Sequence, residues 1–357
     1  MALHFHKLRV KNIRRETSDC VSIAFDIPGE LKNDFLFKQG QNIIIKSIIE
    51  GEEIRRSYSI CSSPLDNELR VAVKKVSGGA FSSYANEKLK EADLLDVLPP
   101  TGTFFTEVNS KTSKNYIFFA AGSGITPVIS IIKTILIAEP ESNVTLIYGN
   151  RNVSSIIFKE QLEALKDKHL QRFRIYYVLS RERTEAEINY GRIDTKKCKL
   201  LSTLIDYKMA DEFFICGPEE MIFTVKEFLE NNHVESDKIH FELFTTPIRK
   251  KIQVYTDIKE KKDEGSEIII KSDGRSFNFK LDYNSNTILD AALAEGADLP
   301  FACKGGVCTT CKAKLIEGKV EMEVNYGLEP DEVKAGFILT CQSHPRSKKV
   351  VVDFDSK

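Results

Sequence analysis

Cys303, Cys308 and Cys311 stand in a C-x4-C-x2-C arrangement, and Cys341 follows after 29 intervening residues. Cysteine-built zinc sites pair two C-x2-C knuckles, so the longer first gap argues against zinc. The spacing is instead that of 2Fe–2S ligation. Four thiolates must converge on two irons while main-chain N–H groups point at the sulfurs. Gly305 and Gly306 let the backbone fold tightly around such a cluster. Cys20, Cys61 and Cys198 each stand alone and read as structural.

A cluster that carries one electron must be filled from elsewhere in the chain. "RRSYSICSSP" places Arg56, Tyr58 and Ser59 in an R-x-Y-S arrangement, and "VKKVSGGAFSSY" follows. Charge, an aromatic face and a hydroxyl at one strand end suit the phosphate, ring and ring nitrogen of a flavin. Gly78 and Gly79 allow main-chain N–H groups to approach a pyrophosphate, and Ser82 adds a hydroxyl. Either stretch alone could be an ordinary strand or turn; the two in this order favour flavin.

"YIFFAAGSGITPVISIIK" is a buried strand, a glycine turn and a helix start. Gly122, Ser123 and Gly124 form the turn, and the helix then offers free N–H groups to a pyrophosphate. The dinucleotide fingerprint is incomplete, because Val128 occupies its third glycine position. "FFICGP" puts Cys216, Gly217 and Pro218 where open α/β sheets bind ligands, at a strand's C-terminal end. Ser180 and Arg181 suit a 2′-phosphate, which favours NADPH over NADH; the alternative is a solvated loop arginine.

These residues need three kinds of scaffold. Residues 1–109 alternate with short period between turn residues ("CVSIAFDI", "QNIIIKSII", "ELRVAVKKV"), which predicts a small antiparallel β-barrel. Residues 110–246 carry continuous apolar runs separated by helical stretches, the pattern of a doubly wound parallel α/β sheet. A charged linker over 247–266 leads to 267–357, where "EIIIKSDGRSFNFKL" predicts a hairpin turning at Asp273-Gly274. "TILDAALAEG" predicts a short helix there, with Thr287 and Asp290 as a capping box and Gly296 as the stop.

The 51 basic and 52 acidic residues balance, which excludes the electrostatic footprint of a nucleic-acid binder. The longest apolar run is broken by Lys133 and too short to span a bilayer, and the start lacks a secretory h-region. The expectation is a cytoplasmic protein without a membrane partner. The lone E-x-x-H, Glu230 to His233, cannot build a di-iron site by itself.

The motifs resemble the ferredoxin–NADP reductase superfamily followed by a plant-type 2Fe–2S ferredoxin domain of β-grasp fold. "FKQGQ" departs from the superfamily's F-x-P-G-Q, with Gln39 in place of proline. The resemblance implies that Arg56, Tyr58 and Ser59 contact FAD. It places Val73 and Lys74 along the ribityl chain, and Gly79, Ala80 and Ser82 at the diphosphate. Thr126 and Pro127 open the nucleotide-binding helix, and Asn150 and Arg151 of "LIYGNR" join the nucleotide site. Cys216 lies beside the nicotinamide, and Glu242 and Phe244 of "HFELF" match the terminal Glu-x-aromatic, whose ring covers the flavin. Further stretches, "FICGPEEM", "NYGLEPDEV" and "VVVDFD", resemble the reductase components of phenylacetyl-CoA epoxidases. That implies electron flow from NADPH to FAD to 2Fe–2S to an oxygenase, the multi-subunit di-iron phenylacetyl-CoA epoxidase. Another hydroxylase, a ring-hydroxylating dioxygenase or a desaturase as acceptor stays open, as does a non-catalytic redox sensor or electron store.

Overall fold

The computed structural model describes residues 4–244 and 265–356. One compact unit spans Phe5–Phe244, and the described residues from Gly265 onward belong to a second.

In the first unit, period-2 alternation gives β1 (His6–Thr17), β2 (Cys20–Asp26), β3 (Asn42–Ile49), β4 (Glu52–Ser59), β5 (Leu69–Lys74) and β6 (Leu94–Thr101). They pair in the order β4-β3-β6-β1-β2-β5, and a bridge from Ile60 to Val71 joins the two ends into a barrel. Ile43, Ile45, Val71, Val73 and Val97 fill its interior. Helix α1 (Ala80–Glu87) follows β5. Gln39 is buried, and its Nε2 donates to Thr106 O at 2.5 Å, tying the barrel to the segment that leaves it.

The continuous apolar runs become the parallel strands β7 (Asn115–Ala121), β8 (Asn143–Asn150), β9 (Phe173–Leu179), β10 (Glu212–Cys216) and β11 (Ile239–Glu242). Helices α2 (Ile125–Ala138), α3 (Lys159–Lys168), α4 (Thr195–Leu201) and α5 (Glu219–Asn231) alternate with them. The order β11-β10-β7-β8-β9 reverses direction between β7 and β10, the switch point at which doubly wound sheets bind ligands. Glu230 bonds Lys226 and Ser236 at the end of α5, so the E-x-x-H is a solvated helix end.

The second unit opens on the hairpin β12 (Gly265–Ser272) and β13 (Arg275–Asp282). Its two turn residues, Asp273 and Gly274, take φ of 52° and 68°, and the Asp355 carboxylate accepts from both N–H groups. Strand β12 thus starts inside the expected linker: Ser266 is fully buried and pairs with Leu281, whereas 247–264 lie outside the described residues. Then come α6 (Ile288–Ala294), β14 (Lys312–Glu317), β15 (Val320–Met322), α7 (Pro330–Lys334), β16 (Phe337–Leu339), β17 (Ser343–Pro345) and β18 (Lys349–Asp353). The sheet order is β13-β12-β18-β14-β16, with β15 and β17 paired apart. Only half of the capping box forms. Thr287 accepts from Asp290 N, while the Asp290 carboxylate turns to Lys304 Nζ at 2.7 Å. Among the described residues no helix is long and apolar enough to cross a membrane.

Candidate functional site

Helix starts separate phosphate sites from ordinary ones. The first turn of α5 contains Glu219 and Glu220, and α3, α6 and α7 also carry an acid there; α4 is capped by Asp194. Among the described residues, helices α1 and α2 alone have neither a side-chain cap nor an acid in the first turn. Their free N–H groups and positive dipole ends are left for an anion.

At α1, Gly78 takes φ 73°, and Gly79 is the residue before the helix. A Cβ on Gly79 would lie 2.5 Å from Ser82 Oγ. Ser82 Oγ accepts from Val76 N at 3.1 Å and donates to Gly79 O at 3.2 Å, so its hydroxyl shapes the loop. Ala80 is exposed at the helix start. Arg56 is exposed on β4, and Tyr58, two residues on, packs its ring 5.5 Å from Phe81. Val73 points into the barrel core rather than towards a cleft. Lys74 reaches the other way: its Nζ is 3.8 Å from Asp19 and would lie 4.0 Å from a Cβ on Gly122.

At α2, Gly122 takes φ 54°, and the Tyr148 hydroxyl donates to its carbonyl at 2.9 Å. Thr126 Oγ1 donates to Ser123 O at 3.0 Å, and Pro127 is buried in the helix. Gly124 lies against the end of β10, where a Cβ would come within 2.1 Å of Cys216 O. Gly217 is less confined, since a Cβ there would fall 2.7 Å from Met221 Cε, the movable end of a side chain, and Pro218 is exposed beside it. Only glycine permits β7, β10 and the turn to converge this closely.

The two halves of this unit meet at the end of the sheet. Ser59 Oγ donates to Glu242 Oε2 at 3.0 Å, across 183 residues of sequence. Cys216 stands opposite Glu242 in the β10–β11 register and is fully buried. Burial pushes the Glu242 carboxyl up to about 8, and the Ser59 bond pulls the other way. Burial and the nearby Glu242 push the Cys216 thiol well up, so it stays neutral. Phe244 is exposed.

Asn150 ends β8, and among the described residues no partner meets hydrogen-bond geometry with the Oδ1 or Nδ2 of its buried amide. An orphaned buried amide is costly unless a ligand or water completes it, so it fits a nucleotide at this edge. Arg181 N donates to Arg151 O at 2.8 Å, which sets two exposed arginines side by side. Ser180 N donates to Asn150 O at 2.9 Å.

In the second unit the four cluster cysteines converge. Cys308 Sγ lies 3.1 Å from Cys303 Sγ, and thiol contacts continue from Cys303 to Cys341 and from Cys341 to Cys311. Hydrogen bonds from Cys308, Cys341 and main-chain N–H groups hold Cys303 down as a thiolate; bonding from Cys341 lowers Cys311. Gly305 N donates to Cys303 Sγ at 3.3 Å, and Thr310 Oγ1 to Cys308 Sγ at 3.4 Å. Among the described residues no three His, Cys, Asp or Glu side chains could hold a single metal ion. Gly306 takes φ 73°, where a Cβ would meet Val324 O at 2.8 Å. Thr310 and Tyr148 escape sequence reading, because a threonine between cysteines and a tyrosine in an apolar run have nothing to mark them. All eight cysteines are free.

Models of known families match in three consecutive blocks: an oxidoreductase FAD-binding domain over 7–106, an oxidoreductase NAD-binding domain over 118–227, and a 2Fe-2S iron-sulfur cluster binding domain over 270–346. The chain is 44% identical over 357 residues to a subunit of the 1,2-phenylacetyl-CoA epoxidase of Escherichia coli (strain K12), covering 99% of this chain and 98% of that one. It is 32% identical to the ferredoxin reductase component of 3-ketosteroid-9-alpha-monooxygenase of Rhodococcus rhodochrous, covering 97% and 96%. The solved structure of phthalate dioxygenase reductase superposes with a TM-score of 0.58 at 22% identity, covering 98% of each chain, and so shares the fold. The chain belongs to the ferredoxin–NADP reductase superfamily, among the oxygenase reductase components that end in a 2Fe–2S ferredoxin domain.

Proposed function

We propose that this chain is an NADPH-dependent reductase of the cytoplasm that feeds a multi-subunit di-iron phenylacetyl-CoA epoxidase. The relative named for that epoxidase, at 44% identity along the whole chain, supports this acceptor over the steroid monooxygenase at 32%. When bound, the groups supply two-electron hydride acceptance at FAD and one-electron carriage at the 2Fe–2S cluster.

The chain's own residues bind and orient. Helix α1 with Gly79, Ala80 and Ser82 would take the FAD diphosphate, and Arg56, Tyr58 and Ser59 its remaining length. Gly122, Ser123, Gly124 and the start of α2, with Thr126 and Pro127, would take the nicotinamide pyrophosphate; Asn150 and Arg151 line the same edge. Ser180 and Arg181 would hold the 2′-phosphate by charge-assisted hydrogen bonds, which favours NADPH. Neutral Cys216, with Gly217 and Pro218, packs at the switch point. Glu242 holds a proton next to Ser59 Oγ, and Phe244 supplies the covering ring.

The observation that carries the reading is the Ser59–Glu242 bond. It joins the barrel to the end of the parallel sheet beside Cys216, where hydride must pass. The test mixes purified chain, FAD, NADPH and the epoxidase under anaerobic conditions. The reading expects flavin bleaching followed by reduction of the epoxidase. No bleaching would reject the reductase; bleaching without epoxidase reduction would move the acceptor to another oxygenase.

A further inference from the structure

Lys304, between the first cluster cysteine and the glycine pair, lies at φ 51°, a left-handed conformation that lysine adopts at a cost. Gln342 braces it from beneath the loop. Its Nε2 donates to Lys304 O at 3.1 Å and to Cys341 O at 2.8 Å, and lies 3.7 Å from Cys341 Sγ. Two of the three neighbours are carbonyl oxygens, which only accept, so the amide nitrogen rather than its oxygen must face them. The side chain is 7% exposed, and a methyl on Gly306 would come within 3.1 Å of its Cγ. Two amide hydrogens therefore serve three acceptors. One goes to Lys304 O, and the other is divided between the carbonyl and the sulfur of Cys341. A thiolate is a stronger acceptor than a thiol and draws that shared hydrogen towards sulfur.

We propose that Gln342 is a positioning residue that donates to the Cys341 sulfur, fixes the loop carrying Cys303, and raises the reduction potential of the cluster. This rests on the four thiols being 2Fe–2S ligands. Hydrogen bonds to ligand sulfurs set the potential because they stabilise the extra negative charge of the reduced state.

The test is an EPR-monitored redox titration of the full-length, reconstituted protein. Gln342→Leu is expected to keep a full cluster while its reduction equilibrium shifts roughly tenfold towards the oxidised form, the scale of one charge-assisted hydrogen bond. For a one-electron couple that is about 59 mV more negative. A purely structural brace would become dispensable with glycine at 304, which tolerates positive φ. The shift is therefore expected to persist when Gln342→Leu is made in a Lys304→Gly background. Should Gln342→Leu fail to assemble a cluster, wild-type protein with 15N in its glutamine side chains replaces it. Pulsed EPR of the reduced cluster is then expected to detect a coupled side-chain nitrogen. An unchanged potential, a shift that vanishes with Lys304→Gly, or no such coupling would overturn the proposal. Wild-type protein without any paramagnetic signal would instead bring down the cluster reading itself.

Discussion

The nucleotide-binding unit and the ferredoxin unit hold their cofactor sites by opposite means. In residues 5–244 the proposed anion sites are main chain: two uncapped helix starts, glycine turns and strand ends drawn from distant segments. In the second unit the ligands are side chains, three of them within nine consecutive residues. A main-chain site survives many changes of side chain but not added volume where backbones touch. A thiolate site survives neighbouring volume changes but not the loss of a single sulfur. The two regions should therefore break under different substitutions.

The largest expected effect is Cys311→Ser, which removes one of four ligands. Reduction of cytochrome c by NADPH should be lost, while reduction of ferricyanide, which takes electrons directly from flavin, should survive. Loss of both would mean that the two regions do not work in series as separable sites. The converse is Gly124→Ala, whose methyl would fall 2.1 Å from Cys216 O, backbone that cannot turn aside. Overpacking of this kind costs about 1–3 kcal/mol. Displacement by ~1 Å at a reacting site costs roughly 100-fold in rate. Stopped-flow reduction of the flavin by NADPH should fall on that scale, with the dithionite-reduced EPR signal of the cluster unchanged. A lost cluster signal would contradict the division between units.

The same contrast governs what the sequence makes legible. Alternating and continuous apolar runs announce the barrel and the parallel sheet, because burial on one face or two imposes those periods. The cysteine spacing announces the cluster, because its ligands are local. The Ser59–Glu242 contact spans 183 residues and no local pattern contains it; only the family resemblance brings the two residues together before the fold does. Side-chain direction is less legible still. Val73 faces the barrel core, and the Asp290 carboxylate abandons the helix cap for Lys304, because tertiary partners outcompete local ones. Gln39 and Gln342 are amides buried by their bonds to Thr106 and to the cluster loop, partners that sequence spacing does not reveal. Lys312 Nζ and Lys314 Nζ lie 5.0 Å and 4.6 Å from the Phe337 ring, cation–π pairs that no local pattern announces.

A smaller effect sharpens the main-chain side of the comparison, since the 2′-phosphate reading depends on a side chain. Arg181→Ala should raise the KM for NADPH roughly tenfold or more, the scale of a lost charge-assisted hydrogen bond. The KM for NADH should barely move. Equal changes for the two would leave Arg181 as a solvated loop residue and return the choice of nucleotide to the main chain.

The mildest prediction concerns the junction of barrel and sheet. Glu242 is raised from an ordinary carboxyl value to about 8 by burial, so between about pH 4.5 and 8 the folded protein keeps a proton that the unfolded chain has released. Where the native state binds more protons, stability falls as pH rises. The contribution of Glu242 is therefore complete below pH 4.5 and is lost as pH climbs through 8. Glu242→Gln cannot ionise and lacks that slope. Thermal unfolding of the flavin-free proteins from pH 5 to 9 should show the variant gaining on wild type as pH rises, with the gain levelling off above 8. Parallel curves would mean that Glu242 ionises as freely in the folded chain as in water, and the Ser59 hydroxyl would then face a carboxylate throughout the neutral range.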